Sequence, residues 1–277
     1  MKPFLKWAGN KYRILHRIQQ LLPRGQRLIE PFAGSAAVFL NTTFPQYVLN
    51  DANADLMNVY QTLKQYGRVY IQACQSLFKP EHNVAEVYYA YREEFNSTSD
   101  SFRKAVLFVY LNRHGYNGLC RYNKDGRFNV PFGRYRNPYF PLEEMLAFHR
   151  KAQFADLRCE DFETVMLQAR PGDVVYCDPP YVPLSNTANF TSYHASGFGL
   201  EQQQRLAQLA RTLAEHGIPV LISNHYNEFT RVTYASAAIT AFHVPRFISC
   251  NGAKRQPAPE LLALFDVPAY MQTAVLS

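Results

Sequence analysis

A short apolar run that ends on an acid and two prolines is the feature that most restricts how this chain folds. The run occupies residues 174–177 and is followed directly by Asp178, Pro179, Pro180 and Tyr181. Its β-branched and aromatic residues, which come after a Pro-Gly turn signal, predict a buried parallel strand. The strand cannot continue through the prolines, because they have no N–H donor and a fixed φ. The sequence therefore predicts that residues 178–181 form a rigid ledge at the carboxyl end of a strand, where open α/β sheets bind ligands.

The ledge carries groups that suit a reaction at the exocyclic amine of a nucleobase. Such an amine is a poor nucleophile, because its lone pair is delocalised into the ring. Hydrogen bonds from its two N–H groups to the Asp178 carboxylate and the Pro179 carbonyl would favour a pyramidal nitrogen with the lone pair turned outward. An aspartate with its reference pKa of about 3.9 is ionised at neutral pH and accepts such bonds, and stacking of the base on Tyr181 would add ~1–3 kcal/mol. A proline-rich turn with a helix-capping or salt-bridged aspartate is the alternative.

Composition indicates a globular protein with reduced thiols. A chain of 277 residues with 47% hydrophobic residues has ample material for one large domain or two small ones. Its five cysteines show no C-x-x-C spacing and no histidine at zinc-finger spacing, which argues against a structural metal. We find no apolar run of ~18 residues and no signal-peptide core, so we expect a cytoplasmic protein without a membrane segment.

Basic and aromatic side chains alternate along residues 113–136. The net charge of +7 fits a polyanionic partner. Against the single acid Asp125, the basic residues of this segment are Arg113, Arg121, Lys124, Arg127, Arg134 and Arg136. Cations hold phosphates and rings stack on bases or wedge between them, so the segment predicts a nucleic-acid face. A solvated charged loop over a small aromatic core fits the composition equally well.

The first part of the chain resembles the start of a nucleotide-binding α/β sheet. Residues 27–30 predict a strand, and the small-residue loop around Gly34 leads from it into a helix. A second strand at residues 47–50 ends at Asp51, where an acid can bind a ribose diol. The alternative for Asp51 is an N-cap of the helix that starts near Asp55.

The only tryptophan of the chain, Trp7, lies between Lys6 and Lys11. It fits either a wall over a ligand, with lysines beside it, or packing in the core.

Residues 55–111 show helical periodicity without α/β alternation. Residues 120–130 then predict a β-hairpin that turns at Asp125 and Gly126. We therefore predict an inserted, mainly helical recognition subdomain carrying a hairpin at residues 55–144, with the α/β domain formed by residues 1–54 and 145–277.

The rest of the chain is predicted to complete the sheet. The expected elements are a strand at 154–158, a helix at 201–216 with Gly217 after it, a buried strand at 219–223, and strand-like segments from Thr240 around 249–255. The polar residues 182–199 predict a lip of the active site. His225 is either catalytic by its position or a structural hydrogen bonder.

Five motifs, taken in order, closely resemble those of the Dam family of DNA adenine-N6 methyltransferases. They are F-L-K-W-A-G-x-K-Y, E-P-F-x-G, D-x-N-x-D-L, Y-N-G-L-C-R-Y-N with F-N-V-P-F-G-R-Y, and V-Y-C-D-P-P-Y. The likeness covers nearly the whole chain, to about Phe265. It implies an α/β fold with a Rossmann-like S-adenosylmethionine-dependent methyltransferase sheet. It also implies a site-specific enzyme that methylates N6 of the flipped adenine of GATC in double-stranded DNA, with S-adenosyl-L-methionine as donor.

The resemblance also implies roles for individual residues. Catalysis would fall to Asp178, Pro179 and Tyr181. Donor binding would fall to Trp7, Lys11, Phe32, Gly34, Asp51 and Asp178. The positions that match DNA contacts are Lys6 near the first guanine, Arg121 on a guanine, Leu119 and Pro131 at a thymine methyl, Tyr116 as the wedge, Asn117 at the orphan thymine, and Arg134 and Tyr135 on the backbone. The residue types at these positions agree with general rules for how side chains read bases and how enzymes flip a base out of the duplex. We expect a monomer without a metal, associated with the nucleoid.

Two positions depart from the family pattern. Ala36 replaces the second glycine of the F-x-G-x-G loop, and Asn10 replaces the second glycine of the N-terminal motif. Ala36 adds a methyl where backbone approaches the cofactor, whereas asparagine tolerates positive φ. Both changes would weaken donor affinity, but neither removes a catalytic group.

Three functions therefore compete. The leading hypothesis is an active GATC adenine methyltransferase, the second is a GATC-binding protein whose catalysis has decayed, and the third is a methyltransferase of RNA or protein amides. The duplex-reading residue types of the hairpin argue against the third. The sequence does not distinguish a solitary enzyme, serving replication timing and mismatch repair, from the partner of a restriction nuclease.

Overall fold

The computed structural model describes residues 1–181, 198–244 and 258–266. Its strands are β1 Arg27–Glu30, β2 Gln46–Asn50, β3 Ala155–Arg158, β4 Asp173–Cys177, β5 Val220–His225, β6 Ala238–Val244 and β7 Ala258–Phe265. Its α-helices are α1 Leu15–Leu21, α2 Ala37–Asn41, α3 Ala54–Tyr66, α4 Arg68–Gln75, α5 Ala85–Ser97, α6 Ser101–His114, α7 Leu142–Ala152, α8 Phe162–Met166, α9 Leu200–Glu215 and α10 Glu228–Thr233. Short 3₁₀ helices cover Lys11–Ile14, Pro80–His82 and Tyr116–Gly118.

The strands form a seven-stranded sheet in the order β3-β2-β1-β4-β5-β7-β6. β1 and β5 pair with β4 in parallel, β2 pairs with β3 in parallel, and β7 is antiparallel to β5 and β6. Strand order reverses between β1 and β4, and open α/β sheets bind ligands beyond the carboxyl ends of strands at such a point. The predicted Rossmann-like α/β sheet is confirmed.

The chain divides into two compact units. The first contains Met1–Arg17, Ala33–Thr43 and Tyr47–Glu160, and the second contains Ile18–Phe32, Phe44–Gln46 and Asp161–Ser277. The predicted recognition subdomain at residues 55–144 lies within the first unit, and its boundaries stay a prediction.

An aromatic core organises the first unit. The ring of Phe4 packs edge-on against Tyr60 at 5.8 Å and Phe148 at 5.4 Å, and the rings of Tyr60 and Phe148 stack at 4.6 Å. All three side chains are buried, and aromatic rings contribute large buried areas to a core. This packing joins the N-terminal segment to α3 and α7.

The second unit is built on β4, which is buried along its whole length. At its start Asp173 accepts two hydrogen bonds from the guanidinium of Arg27 on β1, at 3.0 and 2.6 Å. α9 turns its apolar stripe inward and ends before Gly217, whose φ of +76° gives the left-handed residue predicted there.

Most predicted elements are confirmed to within one or two residues, including β1, β4, β5 and α9. α7, α8 and α10 were not predicted. Residues 182–197 of the lip predicted at 182–199, and the tail segment around 249–255, lie outside the described residues. Within the described ranges no helix has the length and apolarity to cross a membrane, and no group of side chains has the composition of a metal site.

Candidate functional site

The ledge lies at the carboxyl end of β4, next to the reversal of strand order. Asp178 is half-buried, Pro179 is buried and Pro180 is exposed. One carboxylate oxygen of Asp178, Oδ1, accepts a hydrogen bond of 3.0 Å from the hydroxyl of Ser223 on the neighbouring β5. The predicted acid is therefore oriented by a neutral donor from the adjacent strand.

A buried polar network holds the second proline of the ledge. The side-chain amide of Gln203 donates to the Pro180 carbonyl at 2.7 Å. Its Oε1 accepts hydrogen bonds from Asn224 at 3.0 Å and from the Tyr234 hydroxyl at 2.9 Å. Gln203, Asn224 and Tyr234 are all fully buried, and a network of this kind makes its surroundings rigid. Sequence reasoning missed it, although a glutamine on the inward face of α9 was the available signal.

Tyr181 stands at the end of the ledge with its ring edge-on to His225, at 4.8 Å between centroids. Burial raises the pKa of the Tyr181 hydroxyl well above its usual value, and the charges of Asp178 and Glu260 raise it further. Tyr181 is therefore a neutral phenol at physiological pH. The backbone amide of His225 donates to the side-chain oxygen of Asn224 at 2.8 Å, and its carbonyl accepts from the Thr230 hydroxyl at 2.7 Å. These bonds fix the main chain at His225, and both interpretations of its imidazole stay open.

Phe32, predicted at the donor site, belongs to a cluster of three rings in the second unit. It stacks on Phe162 at 5.4 Å and packs edge-on against Phe198 at 5.3 Å. Phe32 is half-buried, so the cluster presents part of one aromatic surface to solvent. The sequence did not indicate its two partners.

In the first unit, Asp51 is held by backbone amides after β2. Its Oδ2 accepts from Gly34 at 2.9 Å, and its Oδ1 accepts from Asn53 at 3.0 Å. Asn53 is the residue that caps α3, through its side chain and the amide of Leu56, so the alternative role of Asp51 as the N-cap is wrong. Burial raises the pKa of Asp51, and the hydrogen bonds from Asn53 and Gly34 partly offset this rise.

Trp7 lies over the backbone of Gly34. A Cβ built on Gly34 would come within 3.0 Å of the indole Nε1, and the φ of Gly34 is +46°. Trp7 is half-buried, which does not fit the core-packing alternative. Lys11 is buried and its ammonium group donates to the Gly9 carbonyl at 2.5 Å. The bare backbone of Gly34 thus lets the Trp7 indole pack directly against the loop, with no space for a side chain between them.

Both departures from the family pattern are accommodated locally. Ala36 is fully buried and adopts φ 57°, the left-handed conformation that glycine would take more easily. Asn10 has φ −50°, so the tolerance of asparagine for positive φ is not needed at this position. Its side chain instead accepts from the Tyr12 amide at 2.8 Å and caps a 3₁₀ helix.

Three of the residues predicted to read DNA lie together in the first unit. The ammonium group of Lys6 is 4.0 Å from the centroid of the Tyr135 ring, and the Tyr135 hydroxyl accepts from the amide of Asn117 at 2.9 Å. Burial lowers the pKa of Lys6, and the nearby charge of Arg113 lowers it further. Asn112, which sequence reasoning missed, pairs with both the amide and the carbonyl of Lys6 at 2.8 and 2.7 Å.

Gly118 explains how Lys6 approaches this cluster so closely. A Cβ at Gly118 would come within 2.3 Å of the Lys6 side chain, and φ is +62° there. Only glycine fits this position, and the Y-N-G motif already contained the signal.

The predicted hairpin is present as a short antiparallel pair between Tyr122 and Phe128. The chain reverses over residues 123–127, with Gly126 at φ +72°. Arg121 is exposed, and its guanidinium donates to the side-chain oxygen of Asn129 at 2.8 Å and to the Asn129 carbonyl at 3.2 Å. Asn129 therefore fixes the direction in which the exposed guanidinium points.

The remaining predicted DNA contacts lie near the ends of this segment. Tyr116 is exposed and its amide donates to the Pro131 carbonyl at 2.8 Å. Pro131 and Arg134 are exposed, Leu119 is half-buried, and Arg134 has φ +53°.

The base of the hairpin is joined to the start of α3. The Tyr122 hydroxyl donates to Asp55 at 2.7 Å, and Lys104 forms an ion pair with the same carboxylate at 2.8 Å. Burial raises the pKa of the Tyr122 hydroxyl strongly. A partly buried, charge-assisted hydrogen bond is thus one of the contacts that anchor the hairpin.

The family model that matches this chain and three similar curated proteins all carry names of adenine-specific DNA methyltransferases. The family model described as D12 class N6 adenine-specific DNA methyltransferase matches residues 7–246. The chain is 55% identical to the DNA adenine methylase of Escherichia coli (strain K12), covering 95% of each chain. It is 54% identical to the DNA adenine methylase of Salmonella typhi, over 96% of this chain and 95% of that one, and 50% identical to that of Serratia marcescens, over 95% and 98%.

Proposed function

Because the chain belongs to the family of D12 class N6 adenine-specific DNA methyltransferases, we propose that it methylates N6 of the adenine in GATC, in double-stranded DNA, from S-adenosyl-L-methionine. The observation that carries the proposal is the Asp178 carboxylate, oriented by Ser223 at the end of β4. It is supported by the same name, DNA adenine methylase, in the relatives from several bacteria.

The ledge activates the adenine amine. The Asp178 carboxylate and the Pro179 carbonyl each accept one N6–H, which turns the nitrogen lone pair outward, and Tyr181 stacks on the base. When bound, S-adenosyl-L-methionine supplies a methyl group on a positively charged sulfur. The amine would take up this methyl group and release one N6–H proton to solvent, while the Asp178 carboxylate and the Pro179 carbonyl hold the nitrogen in place. The protein's part is alignment and polarisation, and no covalent link to the chain is needed.

Trp7, Lys11, Gly34 and Asp51 hold the donor in this proposal. The bare backbone at Gly34 fixes the position of the Trp7 indole by close contact, and the buried Asp51 carboxylate is suited to a ribose hydroxyl. The contributions of Phe32 and Asp178 to donor binding stay predictions.

The recognition subdomain at residues 55–144 reads the DNA together with Lys6. Arg121 suits bidentate readout of guanine, and Leu119 and Pro131 suit contact with a thymine methyl. The target adenine has to leave the duplex to reach the ledge, so we include base flipping, with exposed Tyr116 as the wedge and Asn117 at the orphan thymine. Arg134 and Tyr135 contact the backbone. The enzyme would act as a monomer on nucleoid DNA in the cytoplasm.

One observation favours a second candidate, a GATC-binding protein with weakened catalysis. Ala36 occupies a left-handed position that suits glycine, and a displaced loop would lower donor affinity. Against this, Ala36 is fully buried, and Gly34 and Asp51 keep their hydrogen bond.

A methylation assay separates these candidates. The protein is incubated with donor carrying a labelled methyl group and with duplexes that contain GATC, a scrambled site, or GATC already methylated on both strands. We expect label only in unmethylated GATC duplexes, on adenine N6. Equal labelling of scrambled duplexes would refute GATC specificity. Specific DNA binding without label, together with absent donor binding by calorimetry, would support the second candidate.

A further inference from the structure

Ser223 occupies a position on β5 that faces the start of the ledge. β4 and β5 pair in parallel with Cys177 opposite Ile222, so the next residues, Asp178 and Ser223, lie side by side. Ser223 is fully buried. Its hydroxyl lies 3.0 Å from Oδ1 of Asp178.

Counting protons gives this contact a direction. A serine hydroxyl has one proton to donate, and the acceptors near it include Asp178 Oδ1 at 3.0 Å, the Tyr176 hydroxyl at 3.1 Å and the Cys177 carbonyl at 3.3 Å. The carboxylate is both closer and charged, so it takes the proton. The Tyr176 hydroxyl, 3.1 Å away, then donates to Ser223. The result is a buried chain of donors that runs from Tyr176 through Ser223 to Asp178.

We infer that Ser223 is a positioning residue for methyl transfer, acting through Asp178 and supported by Tyr176. The inference rests on the proposed role of Asp178 at the adenine amine. The second torsion of an aspartate side chain is broad and only loosely restricted by its own rotamer. Anchoring Oδ1 removes that freedom and fixes the direction in which the carboxylate accepts the amine hydrogen.

The direct test is Ser223→Ala, with Ser223→Thr as the variant that keeps the hydroxyl. We expect Ser223→Ala to slow single-turnover methylation of a GATC duplex by about 10- to 100-fold, the effect of one hydrogen bond to a charged group. DNA affinity, donor affinity and the thermal unfolding midpoint should stay close to those of the wild type, and Ser223→Thr should recover most of the rate. Thr62→Val is the matched control, because the Thr62 hydroxyl is also buried and bonded to a side chain, that of Asn58.

Tyr176→Phe tests the outer bond of the chain without touching the ledge. Loss of a neutral hydrogen bond predicts a smaller decrease in the same rate, about 3-fold. Tyr70→Phe is its control, because the buried Tyr70 hydroxyl donates to a backbone carbonyl, that of Ala105, at 2.8 Å. That variant should methylate at the wild-type rate.

A crystal structure of Ser223→Ala provides a readout that does not depend on activity. We expect the Asp178 carboxylate to be rotated or to occupy more than one orientation. An unchanged orientation of the Asp178 carboxylate would refute the role of Ser223 and leave the proposed function standing. A wild-type rate in Ser223→Ala, when Asp178→Ala is inactive, would do the same. A wild-type protein that labels no adenine at all would instead refute the proposed function.

Discussion

The Asp51 carboxylate accepts a 2.9 Å hydrogen bond from the amide of Gly34, a residue on the loop after β1. Its other oxygen accepts from the amide of Asn53 at 3.0 Å. Backbone donors thus fix both oxygens of an acid that is largely removed from water. This arrangement places a hydrogen-bond acceptor at the end of β2. Burying its charge lowers the free energy of unfolding, and the two hydrogen bonds offset part of that loss.

The burial of Asp51 should make stability depend on pH in a specific direction. Its pKa lies above the ordinary value of 3.8 because of desolvation. The folded protein therefore binds the Asp51 proton more tightly than the unfolded chain does. This contribution to the unfolding free energy is fully present below pH 3.8 and is lost as the pH rises through the folded-state pKa of Asp51. Relative to wild type, Asp51→Asn should therefore gain unfolding free energy as the pH rises from about 3 to 6, measured by urea unfolding at several pH values.

Glu94 provides a comparison of opposite sign for that experiment. The hydrogen bond from Arg103 holds the pKa of Glu94 below its usual value, so its contribution is present at neutral pH and lost as the pH falls. Glu94→Gln should lose unfolding free energy relative to wild type over the same rise in pH. Parallel trends for the two variants would contradict the assignment.

Gly34→Ala should impair donor binding beyond its effect on the backbone. The new methyl would meet the Trp7 indole at 3.0 Å and would adopt a φ of +46°. Gly217→Ala is matched in backbone conformation, with φ +76°, but has nothing within 4 Å of its Cβ. Both should cost about 1–2 kcal/mol of unfolding free energy. Calorimetric titration should find donor affinity lowered about 10-fold, a loss of ~1.4 kcal/mol, only in Gly34→Ala, and equal donor affinities would exclude a role for the Trp7–Gly34 contact in donor binding.

Local patterns explain why the ledge and β1 could be predicted. Two prolines after an apolar run determine where a strand ends, whatever lies around it. Ser223, in contrast, lies 45 residues from Asp178, and Asn112 lies 106 residues from Lys6. Which buried polar side chain meets which partner depends on the strand register and helix packing of the folded chain, and no spacing in the sequence indicates it.

Proline also accounts for an element that the sequence analysis missed. The sequence predicts no helix between residue 142 and the strand at 154–158, whereas the structure has a helix, α7, with Pro141 as its N-cap. Proline is tolerated at a helix start, because the first N–H groups have no partner within the helix. α10, with six residues, is too short to show helical periodicity.

Arg121→Ala should relax sequence discrimination more than it weakens binding. The Arg121 guanidinium is exposed and directed by Asn129, so its loss removes one base contact worth ~1–3 kcal/mol. Competition between GATC and single-substitution duplexes should show the loss at one base pair. Lys124→Ala, at an exposed position of the same hairpin, should weaken all duplexes alike. An unchanged preference in Arg121→Ala would exclude the contact.

Asp178→Ala should abolish methyl transfer and leave DNA affinity close to wild type. The side chain supplies one of the two acceptors for the adenine amine, whereas DNA binding depends on the recognition subdomain and Lys6. Single-turnover labelling and fluorescence anisotropy with a GATC duplex measure the two properties. Retained turnover would refute the catalytic role of Asp178, and joint loss of both properties would indicate a structural role.

Gln203→Leu should destabilise the fold through the network beneath the ledge. Gln203 donates to Pro180 and accepts from Asn224 and Tyr234 within the interior. Leucine removes one hydrogen-bond partner from each of these groups, and buried polar groups that lose a partner cost about 1–3 kcal/mol each. The Asn224 amide keeps its hydrogen bond to the Tyr234 hydroxyl at 3.1 Å, so two of these groups bear the loss. We therefore expect a loss of about 2–6 kcal/mol in unfolding free energy, measured by urea titration. Gln204→Leu makes the same substitution at an exposed position of α9 and should change stability by less than about 0.5 kcal/mol. Similar losses in the two variants would show that the network does not stabilise the ledge.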